Sequence, residues 1–252
     1  MSLVGRHAMV TGGGRGIGRA IAKALAAAGA TVTITGRTES QLRDAVNAGD
    51  ADGFLVLDAT DEDAVQRGFR KAESERGPID ILVANAGAAE SAPFLKSDSA
   101  LFQRMLDINL MGVVHAARAV LPGMNARSHG RIIAVASTAG LKGYAYVSAY
   151  TAAKHAVVGF TKALAQETAA SGVTVNALCP GYADTDMVSG SLDAIAARTG
   201  RSRESALAEI LKDKPLKRLI RPDEIAAACL WLASDAAGAV TGTSIVIAGG
   251  EI

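Results

Sequence analysis

The chain has 252 residues, 49% of them apolar and only 4% aromatic, with a formal net charge of +1. That near-neutrality removes any global electrostatic case for nucleic-acid or membrane binding. Cys179 and Cys229 stand alone, without a CxxC or a His/Cys cluster, which excludes a disulfide framework and leaves no metal-ligand spacing, the four histidines included. No stretch approaches the ~20 apolar residues of a membrane span, and the opening MSLVGRHAMV holds too short an apolar run for a signal peptide, so a cytoplasmic protein is expected.

In chain order, short apolar runs alternate with longer amphipathic stretches. Ala8–Thr11 reads as a strand, followed by the glycine-rich turn Gly12–Gly18 and an Ala-rich helix over Gly18–Ala28. Strands over Thr31–Thr35 and Gly53–Leu57 come next, then a helix over Asp61–Glu75 that opens with acidic residues, as a helix start should. The strand Ile79–Ala84 precedes a long helix Ser99–Met124, and Arg131–Val135 precedes a second, Ser148–Ala170. The strand Thr174–Leu178, a helix over Asp223–Ala233 and the strand Ser244–Ile247 complete the pattern. Such βαβ repetition predicts an α/β fold: a doubly wound, parallel, seven-stranded Rossmann sheet in three layers, α/β/α. No linker divides the chain, so one domain over residues 1–252 is expected. Between Pro180 and Pro222 there is no strand. One or two short helices, over Leu192–Lys212, are expected there, making the segment at about 182–215 a lid over the sheet's C-terminal edge.

The turn Thr11-Gly12-Gly13-Gly14-Arg15-Gly16-Ile17-Gly18 joins the first strand to the first helix. Glycines there let the backbone approach a pyrophosphate, and the free amides of the helix start favour an anion. Three residues separate Gly12 from Gly16, unlike the G-x-G-x-x-G of ordinary Rossmann dehydrogenases. Farther on stand Asp58, Asn85-Ala86-Gly87, Asn109, Ser137, Tyr150-x-x-x-Lys154, and Pro180-Gly181 with Thr185. This ordered set, spread over essentially the whole chain, resembles the short-chain dehydrogenase/reductase family in its roughly 250-residue form, and within it the 3-oxoacyl and 3-hydroxyacyl thioester reductases.

The resemblance implies an NAD(P)(H)-dependent oxidoreductase interconverting a ketone and a secondary alcohol, with Asn109, Ser137, Tyr150 and Lys154 as its catalytic set. Tyr150 and Lys154 are i and i+4 on a predicted helix, one turn apart. An ammonium beside a phenol lowers its pKa, so that Tyr150 can exchange a proton with the substrate oxygen. Ser137, at the C-terminal end of a predicted strand, can hydrogen-bond that oxygen. The family's matching Asn anchors a water that relays protons from Lys154, which also holds the nicotinamide ribose. The resemblance further implies cofactor contacts from Gly12, Gly14, Arg15, Gly16, Ile17 and Gly18, from Asp58 and Ala59 at the adenine, and from Asn85, Ala86 and Gly87. Pro180, Gly181 and Thr185 would border the nicotinamide. Relatives usually carry Ile or Val where Ala183 stands.

At the end of the second strand, Gly36 cannot bond ribose hydroxyls as an acidic residue would, whereas Arg37, with Arg15, suits a 2′-phosphate. NADP(H) is therefore favoured, with NAD(H) possible. Three loops, Ala88–Lys96, Ala139–Val147 and Tyr182–Pro215, are expected to wall the substrate pocket. Its liners would be Leu141, Tyr144, Tyr146, Val147, Tyr182 and Met187, with Ser137 and Tyr150. Around the lid, Arg198, Arg201, Arg203, Lys212, Lys214, Lys217 and Arg218 form either a basic rim for a CoA or acyl-carrier thioester or ordinary solvated helix faces. The alternatives are a reductase or dehydrogenase of cyclic ketones or sugar alcohols, a non-catalytic NADP(H)-binding regulator, and a nucleotide-sugar epimerase or dehydratase. The intact catalytic set argues against the regulator, and the chain length and glycine turn against the last. The family usually assembles as a homotetramer through its two long helices. The small-residue faces Ala116/Ala117 and Ala152/Ala153/Ala156 fit close approach, whether to the sheet or to another chain.

Overall fold

The computed structural model describes residues 1–200 and 202–252, with all their side chains except those of Ser191, Ala194, Ile195, Arg198 and Thr199. Its strands are β1 (His7–Thr11), β2 (Thr31–Gly36), β3 (Gly53–Val56), β4 (Ile79–Ala84), β5 (Gly130–Val135), β6 (Val173–Pro180) and β7 (Ser244–Ile247). They pair in the order β3-β2-β1-β4-β5-β6-β7, and every pair is parallel. The chain winds outward from β1 in one direction, then restarts beside it with β4. The C-terminal ends of β1 and β4 therefore open a crevice, the place where doubly wound sheets bind ligands.

Because successive side chains of a strand point to opposite faces, each strand feeds two apolar layers. Val10 and Ile34 face α1 (Gly16–Ala27) and α9 (Pro222–Ala233), packing with Leu25, Ile225 and Leu232. Met9, Leu82 and Ile132 face the other way, toward Phe69 of α3 (Glu62–Arg76), Val120 of α5 (Gly112–Ala126) and Val157 of α6 (Ser148–Thr168). Ala116 and Ala117 are buried in this second layer, so that pair packs within the chain itself. A third, small cluster joins Leu101 and Met105 of α4 (Ser99–Leu106) to Ala149 and Ala153 of α6.

Three departures from the sequence expectation matter. A helix α2 (Glu39–Asn47) fills the β2–β3 connection; it buries only Leu42 and Ala45, too little apolar pattern to read as a helix. The expected continuous helix Ser99–Met124 is broken by a π turn over Asp107–Met111. Its cause is the Asn109 side chain, whose Nδ2 donates to Met105 O at 3.0 Å and competes with the regular backbone ladder. Finally, the stretch between β6 and α9 carries α7 (Asp186–Thr199) and α8 (Arg203–Leu211), the first starting six residues before the expected Leu192. Arg201 and the Arg198 side chain, both in the predicted rim, lie outside the described residues. The segment re-enters the fold where Ala183 makes a parallel bridge with Ile220, and Ala183 is itself buried in the first layer. Its small side chain is thus packed.

Candidate functional site

The glycine turn begins at the end of β1, and Thr11 ties it to β4. The Thr11 hydroxyl accepts from the amides of Asn85 and Ala86, both at 3.0 Å, while Asn85 Nδ2 donates to the carbonyls of Thr11 and Gly12. Gly12 turns at φ +65°, and a Cβ there would stand 2.9 Å from Asn85 Nδ2. A Cβ on Gly18 would stand 2.3 Å from Gly12 O. These two positions admit only glycine, and through them the turn folds tightly enough to present the start of α1. Arg15, the residue before α1, makes no side-chain cap, so the first amides of the helix remain available to an anion.

A groove runs from this turn across the sheet edge. Gly12, Gly14, Arg15, Gly16, Ile17, Gly18, Arg37, Asp58, Ala59, Asn85, Ala86, Gly87 and Thr185 all line it. The two arginines expected at a 2′-phosphate stand on its rim, each beside one exposed acid: Arg15 at 3.8 Å from Asp186 and Arg37 at 3.9 Å from Asp58. Asp58 also accepts from the Thr60 amide and hydroxyl through Oδ1, so it braces the turn before α3 as well as facing the groove. Bare glycine backbone, a free helix start and cations at the far rim are what a dinucleotide needs, and the residues present fit a nicotinamide cofactor.

The groove opens into a second cavity, of about 380 Å³, within the range small-molecule sites occupy. Asn109, Ser137, Tyr150 and Lys154 all line it, with Pro180 and Gly181. Ser137 sits just beyond β5, and its Oγ accepts from the Ala139 amide at 3.1 Å. Tyr150 and Lys154 project from the first turns of α6. Lys154 is buried; its Nζ donates to Val135 O at 2.9 Å and lies 5.7 Å from the centre of the Tyr150 ring. Asn109 is wholly buried at the π turn, with Nδ2 donating to Ala88 O at 2.9 Å. Gly87 packs between Asn109 and Lys154: a Cβ there would stand 2.8 Å from Asn109 Oδ1 and 3.6 Å from Lys154 Nζ.

Burial governs the charges here. It pushes the Tyr150 phenol up, against a hydrogen bond from Ser137 that pulls it down. It pulls the Lys154 ammonium down to about 8, against a weaker push from Cys179 behind it. Desolvation is the largest influence on the Tyr150 phenol, and the Lys154 ammonium beside it is bonded to the Val135 carbonyl.

Of the expected substrate liners, Tyr144, Tyr146, Val147, Tyr182 and Met187 line the cavity. Leu141 does not. It follows the short turn Thr138–Gly140 and packs its side chain on the second core layer instead. The three expected loops do line the cavity, and they also do so through residues that sequence reading did not single out, among them Ala88, Val188 and Ile210, with Thr138 just before the second loop. Their small or aliphatic side chains carry no signal of their own. Tyr146 adopts φ +67° at the mouth, and its carbonyl accepts from the Ala92 amide at 2.8 Å, holding two of the loops together. Among the described residues lining this cavity, Lys154 alone carries a charge.

The basic rim largely spends its charge on neighbours. Arg203 pairs with Asp193, Arg218 forks onto Glu224 at 2.7 and 2.8 Å, and Lys214 bonds Glu251. The solvated-face reading fits these residues better than a waiting anion site. Among the described residues no helix is long and apolar enough to cross a membrane.

Comparison with known proteins agrees with this layout. A family model described as short chain dehydrogenase matches residues 6–196. An acetoacetyl-CoA reductase of Shinella zoogloeoides is 41% identical over 246 residues, covering 98% of this chain and 98% of its own. A cis-4-hydroxycyclohexanecarboxylate dehydrogenase of Sinomonas cyclohexanicum is 41% identical over 252 residues, covering 97% and 96%. A solved structure of actinorhodin polyketide ketoreductase with NADPH matches with a TM-score of 0.94 and 33% identity, covering 98% of this chain and 97% of that one.

Proposed function

We propose a function from one premise: this chain belongs to the short chain dehydrogenase family, whose members bind nicotinamide cofactors and interconvert ketones and secondary alcohols. In our reading it is an NADP(H)-dependent reductase of an apolar ketone, with a 3-oxoacyl thioester as the leading substrate class. The observation that carries this reading is the convergence of Ser137, Tyr150, Lys154 and Asn109 on a cavity continuous with the glycine-lined groove.

When bound, the nicotinamide supplies or accepts the hydride at the carbinol carbon. The chain's own residues manage the oxygen. Tyr150, whose phenol burial keeps protonated, gives its proton to the carbonyl oxygen during reduction. The Ser137 hydroxyl donates to the same oxygen as charge develops there. Lys154, cationic below about pH 8, stabilises the phenolate left behind. Asn109 fixes the π turn and, with Gly87, the backbone around Lys154. Gly12–Gly18 and α1 would hold the pyrophosphate, Asp58 and Ala59 the adenine, Arg15 and Arg37 the 2′-phosphate, and Gly181 and Thr185 the nicotinamide end. The segment at about 182–215 serves as the lid, since Tyr182, Met187, Val188 and Ile210 all reach the cavity from it.

An uncharged pocket wall suits a thioester whose ketone lies apart from any carboxylate, and the acetoacetyl-CoA reductase supports this class. One observation favours a cyclic ketone as a second reading. Tyr144 and Tyr182 form an edge-to-face pair, 6.2 Å between centroids at 84°, which offers an aromatic corner of one face and one edge to a ring. A homotetramer and a cytoplasmic location complete the proposal; the buried free thiols Cys179 and Cys229 fit a reducing compartment.

The test is a substrate panel of acetoacetyl-CoA, a cyclic ketone and a keto-sugar, followed by loss of NADPH absorbance, with Tyr150→Phe run in parallel. We expect acetoacetyl-CoA to be the best substrate. The variant should lose about 10²–10⁴-fold of turnover while binding NADPH as before, the span general acid catalysis contributes. Wild-type turnover in Tyr150→Phe would remove Tyr150 from its role.

A further inference from the structure

The sheet delivers the loops after β5, β6 and β7 to one corner of the substrate cavity, and a single carboxylate joins them. Glu251, the penultimate residue, has a side chain only 3% exposed. Its Oε1 accepts from the Tyr144 hydroxyl, from Lys214 Nζ, and from Lys142 Nζ at 3.1 Å. Its Oε2 lies over Gly181, 3.2 Å from where a Cβ would stand. The backbone leading to it packs on the exit of the lid, with Gly249 against Leu216 and Gly250 against Pro215. Lys214 in turn lies 5.3 Å from the Tyr144 ring centre and 5.0 Å from that of Tyr182, two of the aromatic residues that line the cavity.

A buried carboxylate is expensive unless it is paired and hydrogen-bonded, and here three donors converge on one oxygen. Burial pushes the Glu251 carboxyl up, but the bonds from Lys214, Tyr144 and Lys142 more than offset it and hold it below the usual carboxylate range. None of these contacts reaches Ser137, Tyr150 or Lys154. They act instead on Tyr144 and Tyr182, which line the same cavity.

We propose that Glu251 is a positioning residue for the substrate, fixing Tyr144 in the pocket wall and mooring the lid's exit through Lys214. This rests on the ketone-reductase reading above. It predicts a separation of binding effects. The carboxylate sets the wall that the ketone's body contacts, while the pyrophosphate and adenosine stretch of the groove, lined by residues that follow β1, β2, β3 and β4, makes no contact with it.

The experiment compares the full chain with Glu251→Ala, Tyr144→Phe and the double variant, measuring KM for acetoacetyl-CoA, kcat, and the Kd of NADPH. Glu251→Ala should raise the ketone KM about tenfold or more, as loss of a hydrogen bond to a charged group does, and change the NADPH Kd far less. Tyr144→Phe should raise the same KM, and the double variant should add little to Glu251→Ala, because one contact is removed twice. Hydrogen exchange gives a readout that needs no turnover. Glu251→Ala should speed exchange over 141–146 and 212–216 and leave β5 as protected as before. Additive KM effects, equal losses in ketone and NADPH binding, or unchanged exchange in both segments would overturn the proposal. Should the wild-type chain reduce no ketone while exchange still responds, the functional reading fails and the mooring stands.

Discussion

Tyr150 and Lys154 experience the same burial with opposite effects on their protons, and the pH profile follows from that. Lys154 keeps its charge below about pH 8 and loses it above. The phenolate left by Tyr150 after it protonates a carbonyl is then less stabilised, so kcat/KM for reduction should be level below pH 8 and fall above it. Oxidation needs the phenol deprotonated first, and burial resists this, so its kcat/KM should climb from neutrality upward. Reduction that speeds up through pH 8 would contradict a cationic Lys154. At the far end of the groove, Arg37 stands in an exposed pair with Asp58 at 3.9 Å, too weak to keep it from a phosphate. Arg37→Ala should lower kcat/KM for NADPH about tenfold and barely change it for NADH. Equal losses with both cofactors would place Arg37 elsewhere. Residues of this kind are legible in sequence because their chemistry is tied to type and spacing. Leu141 was misjudged because nothing in a Leu between two glycines, Gly140 and Gly143, reports which way its side chain turns.

At the scale of elements, the strand–turn–helix unit at the amino end was readable because its glycines are demanded by sterics. Gly18→Ala tests this. Its new methyl would meet Gly12 O at 2.3 Å and Asn85 Nδ2 at 2.4 Å, backbone on one side and an amide held by two hydrogen bonds on the other. We expect a loss of about 1–3 kcal/mol by urea denaturation, the usual cost of overpacking, together with weaker NADPH binding. A variant as stable as the wild type would mean the turn is looser than described. The strands were legible from their apolar runs. Helix α2 was not, since a mostly exposed nine-residue helix carries little periodic signal. The π turn was also hidden. Asn109 reads as one polar residue in a helical stretch, and only its bonds to Met105 O and Ala88 O reveal that it redirects the backbone.

For the molecule as a whole, alternation of runs gave the parallel doubly wound sheet, while the strand order places the cavity beside the restart at β4. In sequence the basic rim reads as either a thioester-binding rim or solvated helix faces, because charge counting cannot see that Glu224 and Glu251, distant along the chain or beyond the segment, lie against it. Glu251 itself gave no warning, the penultimate residue and thirty-seven from Lys214 in sequence. If the homotetramer holds, light scattering should give four chains per particle, and a monomer at assay concentration would reject it. The central claim is direct hydride transfer between nicotinamide and a substrate carbon at the Tyr150 site. The most direct measurement uses NADPH carrying deuterium at the transferable position of its nicotinamide, with acetoacetyl-CoA as acceptor and mass analysis of the product. The account predicts one deuterium on the new carbinol carbon for each cofactor oxidised, and none formed by Tyr150→Phe above background. Alcohol formed without the label, or labelled equally well by the variant, would contradict it.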